Sequence, residues 1–242
     1  LRVGYKNTTR SLVAANSFCA FTVREQFDDY CLRQALDAGA KLTIIDGLKD
    51  IQTDQHQVTV ITSRRETFRS RFLIGADGAH SQVRRITGLF APARTAIAVE
   101  GLLSRSHIPS SYLEQSRHMT LDFGVQPLGY GWLFPKADHV NVGLYTYLPE
   151  KSRVSRRKLA AYAKARLGSD SFRSVCGYPI ATGGESYRPH HARILLVGDA
   201  AGMAEALLGG VFITLLLQDR RPQLLSITQL LTPRWRRHSA VI

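Results

Sequence analysis

The stretch FLIGADGAHSQVRR (Phe72–Arg85) decides the fold. An apolar run, Phe72 to Ile74, reads as a strand, and Gly75-Ala76-Asp77-Gly78 ends it with small residues. Small residues at a strand's carboxyl end let the backbone approach a ligand, which is where open α/β sheets bind cofactors. Ser81 and Arg84 follow at offsets that open a short helix. Three roles are open to the polar groups here. Asp77 and Arg84 pair with one another, or they meet a cofactor phosphate, or Asp77 caps the helix.

A second stretch, RILLVGDAAG (Arg193–Gly202), repeats the logic with Gly198 and Asp199 at the strand end. A carboxylate there is placed to accept hydrogen bonds from ribose or ribityl hydroxyls. The helix expected behind it favours anionic groups at its N-terminus. The recurrence of this pattern, with β-rich sequence between, predicts a sheet with a ligand at its carboxyl edge.

Outward from these stretches, LRVGY, SLVAAN and CAFTV read as short strands, and Arg24–Ala38 reads as a helix. Its apolar positions are Phe27, Tyr30, Cys31, Ala35 and Ala38, and Gly39 sits where a left-handed cap is wanted. KLTIID, QVTVIT and TFRSRFLIGADG are expected strands. So are TAIAVEGLL, MTLDF, YGWLFP and HVNVGLYTY, punctuated by Gly, Pro and Ser. Ser155–Leu167 reads as a basic helix burying Leu159, Tyr162, Ala163 and Leu167. The order suggests two interleaved sub-domains.

At 242 residues, 44% hydrophobic and 21% charged, the chain is of a size and composition to fold, which excludes wholesale disorder. No apolar run approaches the roughly 18–20 residues of a membrane span, and the opening LRVGYKNTTR holds no signal-peptide apolar region. Cys19, Cys31 and Cys176 are odd in number and lack metal or redox spacing, so each is expected to be a small buried residue in a reducing compartment. The net charge of +13 is scattered and carries no nucleic-acid module, so no nucleic acid is expected. Anionic lipid or a phosphorylated substrate accounts for it equally well.

The two strand-end motifs resemble those of the FAD-dependent oxidoreductases that include the aromatic-ring hydroxylases, and most closely the geranylgeranyl reductase family. VREQFDDYCLRQALDAGA (23–40) is similar to that family's R-x-x-F-D-x-x-L helix, whose arginine lies against the flavin; the matching residue is Arg24. YGWLFPKADHVNVG (130–143) is similar to its Y-x-W-x-F-P-K motif, which lines the isoprenoid pocket. The resemblance runs from Phe21 to Gly210. It implies an α/β (α+β) fold, a partial FAD-binding Rossmann-like domain (1–90 and 188–242) with an inserted antiparallel β-sheet substrate domain (91–187).

Position by position, the resemblance implies that Arg24, Leu48, Asp77, Gly78, Arg84, Gly198, Asp199, Gly209 and Gly210 bind FAD, Leu48 through its backbone at the adenine end. Tyr130, Trp132 and Phe134 would wall the lipid channel. The alternative for those three is a core strand whose tryptophan N–H is satisfied. The activity implied is reduction of C=C bonds in polyprenyl chains, with FAD reduced by NAD(P)H or another donor and no metal. The proton donor is open; Tyr130 is one candidate. Rival readings are a flavin monooxygenase or halogenase of the same fold, and an inactive degenerate product. A cytoplasmic protein with peripheral membrane contact is expected.

Three departures bear on this. The family's opening G-x-G-x-x-G, whose glycines let the backbone approach the pyrophosphate, has no counterpart here. Tyr145 stands where a second glycine is usual after Val142-Gly143. After Gly209-Gly210 the match stops at Val211. The residues that follow can be encoded so that a one-base shift restores a family-like continuation, GIYYAIATGQAAA. An out-of-frame tail from Val211, and weak or absent flavin retention, are therefore expected.

Overall fold

A computed structural model describes residues 1–5, 8–12, 20–89, 94–183 and 193–205. In chain order its elements begin with β1 (Arg2–Tyr5), β2 (Thr8–Ser11), α1 (Arg24–Asp37), β3 (Leu48–Thr53), β4 (Val58–Thr62) and β5 (Thr67–Ser70). Next come β6 (Leu73–Gly75), α2 (Gln82–Thr87), β7 (Arg94–Ser104), β8 (Thr120–Phe123), β9 (Gly129–Pro135) and β10 (His139–Thr146). The last are α3 (Arg156–Leu167), β11 (Phe172–Thr182) and β12 (Ile194–Leu196). The fold is mixed α/β, in two compact units: Leu1–Phe27 with Thr95–Ile180, and Asp28–Arg94 with the residues from Ala181 on.

The first unit is built on a seven-stranded sheet in the order β11-β7-β10-β9-β8-β1-β2. Its β7–β10, β10–β9, β9–β8 and β1–β2 pairs are antiparallel, whereas β1 runs parallel to β8. That parallel pairing brings residues 1–5 into the large sheet.

Alternation along β10 shows how the sheet is two-faced. Val140, Val142 and Leu144 pack with Leu159, Tyr162, Ala163 and Leu167 of α3, as the helical spacing predicts. Tyr145 joins Tyr130, Trp132, Ala96 and Ala98 in a separate cluster. Burying each such aliphatic side chain stabilises by about 1.5–3 kcal/mol. Ser155 caps α3 by accepting from the Lys158 N–H, and Gly168 (φ +68) closes it.

The second unit holds an antiparallel meander, β3-β4-β5, and a parallel pair, β6 with β12. Val58, Val60, Leu73, Val83, Ile194, Leu196 and Met203 form its core. Gly75 is required here: a Cβ would lie 2.8 Å from Leu196 Cδ2 and 3.0 Å from Val83. Its absence lets β6, β12 and α2 meet closely.

Three expectations are corrected. KLTIID forms no strand: Lys41 makes a single bridge, 42–46 lies in no strand, and Ile44 is 88% exposed. The run TFRSRFLIGADG divides, because β5 pairs with β4 whereas β6 pairs with β12. Cys31 and Cys176 are exposed thiols rather than buried residues; Cys19 lies outside the described residues. The α1 helix forms as expected and ends near Gly39 (φ +97), yet buries none of its residues. No described helix is long and apolar enough to cross a membrane.

Candidate functional site

In the second unit, β6 and β12 run side by side in the same direction, with Leu73, Ile74 and Gly75 opposite Ile194, Leu195 and Leu196. Val197 extends the ladder by donating to the Gly75 carbonyl at 3.0 Å. Both chains then turn at glycines in the left-handed region, Gly78 (φ +78) and Gly198 (φ +56). At neither would a Cβ meet any atom within 4 Å. Two adjacent parallel strands therefore end in bare backbone with open space beside it, the arrangement that admits a ligand at a carboxyl edge.

The polar groups hold this edge in shape. Asp77 Oδ2 accepts from the backbone N–H groups of Gln82 (2.6 Å) and Val83 (3.0 Å), and Ser81 Oγ donates to Asp77 Oδ1 at 2.5 Å. Ser81 Oγ in turn accepts from the Arg84 N–H. Of the three roles open to Asp77, capping α2 is the one these bonds display.

Arg84 reaches the opposite turn. Its Nη1 donates to the carbonyls of Ala200 (2.7 Å) and Asp199 (3.3 Å), and its Nη2 to that of Ala79 (2.5 Å). Burial pulls the guanidinium's pKa below its usual value, with the Asp77 charge opposing. Asp199 lies half-buried at the β12 end, inside a 3₁₀ turn (Gly198–Ala201) closed by left-handed Gly202 (φ +64). The longer helix expected behind Asp199 is, over the described residues, this single turn.

Leu48 donates its N–H to Gln82 Oε1 at 2.9 Å, so its amide is spent within the unit. Arg24 stands exposed at the first position of α1. Gly209, Gly210 and the tail from Val211 lie outside the described residues.

The first unit carries the aromatic residues. Tyr130 and Trp132 are buried, and their rings lie 6.0 Å apart. Phe134 stacks on Trp132 (5.9 Å) and on Phe21 (5.3 Å). The Trp132 indole lies flat over Gly143, where a Cβ would stand 1.9 Å from its ring. Trp132 Nε1 donates to Asn141 Oδ1 at 2.7 Å, and Asn141 Nδ2 donates to Glu100 Oε2 at 3.0 Å. The tryptophan N–H is thus satisfied, and the stripe is a packed core face. Lys136 crosses the Phe21 ring at 4.9 Å and donates to the Thr22 carbonyl at 2.5 Å; burial lowers its pKa.

Gln82, Asn141 and Glu100 were not singled out from sequence. Asn141 had a signal, as the one amide in the otherwise apolar run HVNVGL. Glu100 had the same signal, as the one charge in TAIAVEGLL, whereas Gln82 had none. Among the described residues no group of His, Cys, Asp and Glu is arranged to hold a metal ion.

Residues 17–131 match the FAD binding domain family. A chloroplastic geranylgeranyl diphosphate reductase of Arabidopsis thaliana is 32% identical over 198 residues, covering 74% of this chain and 41% of that protein. Digeranylgeranylglycerophospholipid reductase 2 of Methanosphaera stadtmanae is 28% identical over 196 residues, covering 77% and 49%. This chain thus spans about half or less of the length of these relatives. A geranylgeranyl bacteriochlorophyll reductase-like protein from Thermoplasma acidophilum shares the fold, with a TM-score of 0.60, 18% identity, and coverage of 81% and 54%. A probable FAD-dependent monooxygenase from Pseudomonas aeruginosa shares it at 0.53, with 19% identity and coverage of 82% and 59%.

Proposed function

We propose that this chain, by sequence and fold a relative of the geranylgeranyl reductases among the FAD-dependent oxidoreductases, holds FAD at the β6 and β12 edge and reduces C=C bonds of polyprenyl chains. The observation that carries the reading is the pair of open, left-handed glycine turns ending two adjacent parallel strands. Bare backbone there suits a bulky cofactor.

The residues present fit the cofactor in part. Asp199 accepts hydrogen bonds from ribityl hydroxyls, Gly78 and Gly198 give the backbone clearance, and Arg84 keeps the two turns in register. When bound, reduced FAD supplies the hydride, with NAD(P)H or another donor restoring it. Tyr130, Trp132 and Phe134 offer an apolar wall for the prenyl chain. An isolated alkene is not polarised, so these residues act through alignment and exclusion of water. Asn141 fixes the indole plane, and hence the wall's shape.

A monooxygenase or halogenase activity is the second reading, since the same fold is that of the probable FAD-dependent monooxygenase from Pseudomonas aeruginosa. The Y-G-W-L-F-P-K run at Tyr130–Lys136 favours the reductase.

The test is reconstitution of the purified chain with FAD, followed by anaerobic incubation with geranylgeranyl diphosphate and reductant. An oxidised-flavin absorbance band at saturating FAD, weakly retained once free FAD is removed, and hydrogenated prenyl products are expected. Flavin binding with oxygen consumed on phenols would replace the reductase with the second reading. No flavin at saturating FAD would overturn the cofactor assignment.

A further inference from the structure

The nineteen residues from Lys151 to Ser169 contain seven cations and no acid. Arg166 is spent on buried Asp122, which it meets through Nε at 2.8 Å and Nη2 at 2.5 Å. The other six, Lys151, Arg153, Arg156, Arg157, Lys158 and Lys164, are exposed. None of the six forms an ion pair among the described residues. The neighbouring turn at Gln115–Arg117 adds no net charge, because exposed Arg117 stands beside exposed Glu114.

Their placement works against the helix that carries them. Arg156, Arg157 and Lys158 occupy the first turn of α3, where the positive end of the helix dipole repels cations, and no acid in that turn offsets them. Fold stability gives no reason for such a face, because α3 is anchored by Leu159, Tyr162, Ala163 and Leu167 on its other side. An anionic partner removes the conflict.

We infer that the exposed face of α3 docks on an anionic phospholipid bilayer. The face offers only cations on short alanine spacers, with Ala161 and Ala165 between them. It presents no aromatic ring on which a base would stack and no amide that would read a base edge. It also lacks apolar side chains to insert, so the contact is electrostatic and reversible. The helix, about 18 Å long, extends beyond the roughly 8 Å screening length of physiological salt, so a broad charged plane suits it better than a point ligand. Preference for a lipid plane over other polyanions rests on the polyprenyl-substrate reading. Because α3 covers the opposite sheet face from Tyr130 and Trp132, docking leaves the aromatic face uncovered.

Vesicle co-sedimentation of the full chain tests this without flavin or prenyl substrate, so its outcome is separate from that of the reductase assay. Vesicles of phosphatidylcholine with about 30% phosphatidylglycerol are expected to bind the protein, and pure phosphatidylcholine to leave it in solution. Raising salt from about 50 mM to about 300 mM should release it. Arg156→Glu with Arg157→Glu and Lys158→Glu should weaken binding roughly tenfold or more. The charge-matched control Lys41→Glu with Lys49→Glu and Arg69→Glu should bind as the parent does, with circular dichroism checking that both variants fold. Equal loss in the two variants would reduce the effect to net charge and overturn the assignment. So would absence of binding to anionic vesicles, or tighter binding to a duplex RNA at the same salt.

Discussion

The guanidinium of Arg84 and the carbonyl of Ala200 meet at 2.7 Å, across 116 positions of sequence. With the bond to Ala79, one planar side chain ties the turn after β6 to the turn after β12. Lysine cannot reproduce that fork, since its ammonium is a single point on a flexible stem. We predict that Arg84→Met costs about 1–3 kcal/mol by leaving carbonyls unpaired, and that Arg84→Lys recovers only part. Urea denaturation measures both. If Arg84→Met unfolds at the parent's midpoint, the tie has no structural weight.

Gly143 lies beneath Trp132, and a methyl group there would stand 1.9 Å from the indole ring. Gly143→Ala therefore forces the ring off its plane and breaks its bond to Asn141. Overpacking of this kind costs about 1–3 kcal/mol. The tryptophan emission should also shift to the red as the ring is displaced. Unchanged emission and stability would mean that the ring is not held where its hydrogen bond places it.

Asp122 is 1% exposed and accepts from Tyr162 Oη at 2.7 Å as well as from Arg166. Burial, then the Asp122 charge, pushes the Tyr162 pKa well above its ordinary value, so the phenol stays a donor. Asp122→Ala leaves the Tyr162 phenol unpaired, while Arg166, 36% exposed, turns to water, and is predicted to cost about 2–3 kcal/mol. Tyr162→Phe leaves the ion pair and should cost about 1 kcal/mol. Equal losses in the two variants would mean that the arginine contributes nothing to the cluster.

How much of this was legible follows the range of the interactions. Leu159, Tyr162, Ala163 and Leu167 declare their helix face through local spacing, and Gly75 and Gly198 declare strand ends through adjacent residues. The cluster of Asp122 with Tyr162 and Arg166 spans 40 and 44 positions and leaves no local pattern. β3, read LKDIQT, is too polar to announce a strand, and its pairing comes from β4. β11 lies at the sheet edge with most of its first seven residues exposed, so no apolar alternation marks it. KLTIID shows the converse, since its apolar alternation forms no strand beyond the bridge at Lys41. At the candidate site, the sequence places Asp77 and Arg84 together but leaves their roles open, because cap, ion pair and phosphate contact use the same residue types.

Asp138 carries the clearest pH dependence. Arg173 Nη1 donates to its Oδ2 at 2.8 Å and His139 Nδ1 lies 2.7 Å from its Oδ1, while Arg173 Nη2 also reaches Ser104 Oγ at 2.9 Å. These bonds join the ends of β7, β10 and β11. The hydrogen bond from Arg173, then that from His139, holds the carboxyl down to about 2, against 3.8 for an ordinary aspartate. A folded-state pKa below the unfolded one means that the stabilisation is present above the unfolded value and is lost as pH falls through the folded one. The stability difference between the parent and Asp138→Asn should therefore be constant above about pH 5, shrink between pH 4 and pH 2, and vanish near pH 2. The carboxylate is exposed, so high salt should diminish the difference at every pH. Denaturant midpoints of the two proteins across this range decide the matter: a gap that persists undiminished to pH 2 would show that the charge on Asp138 is not its source.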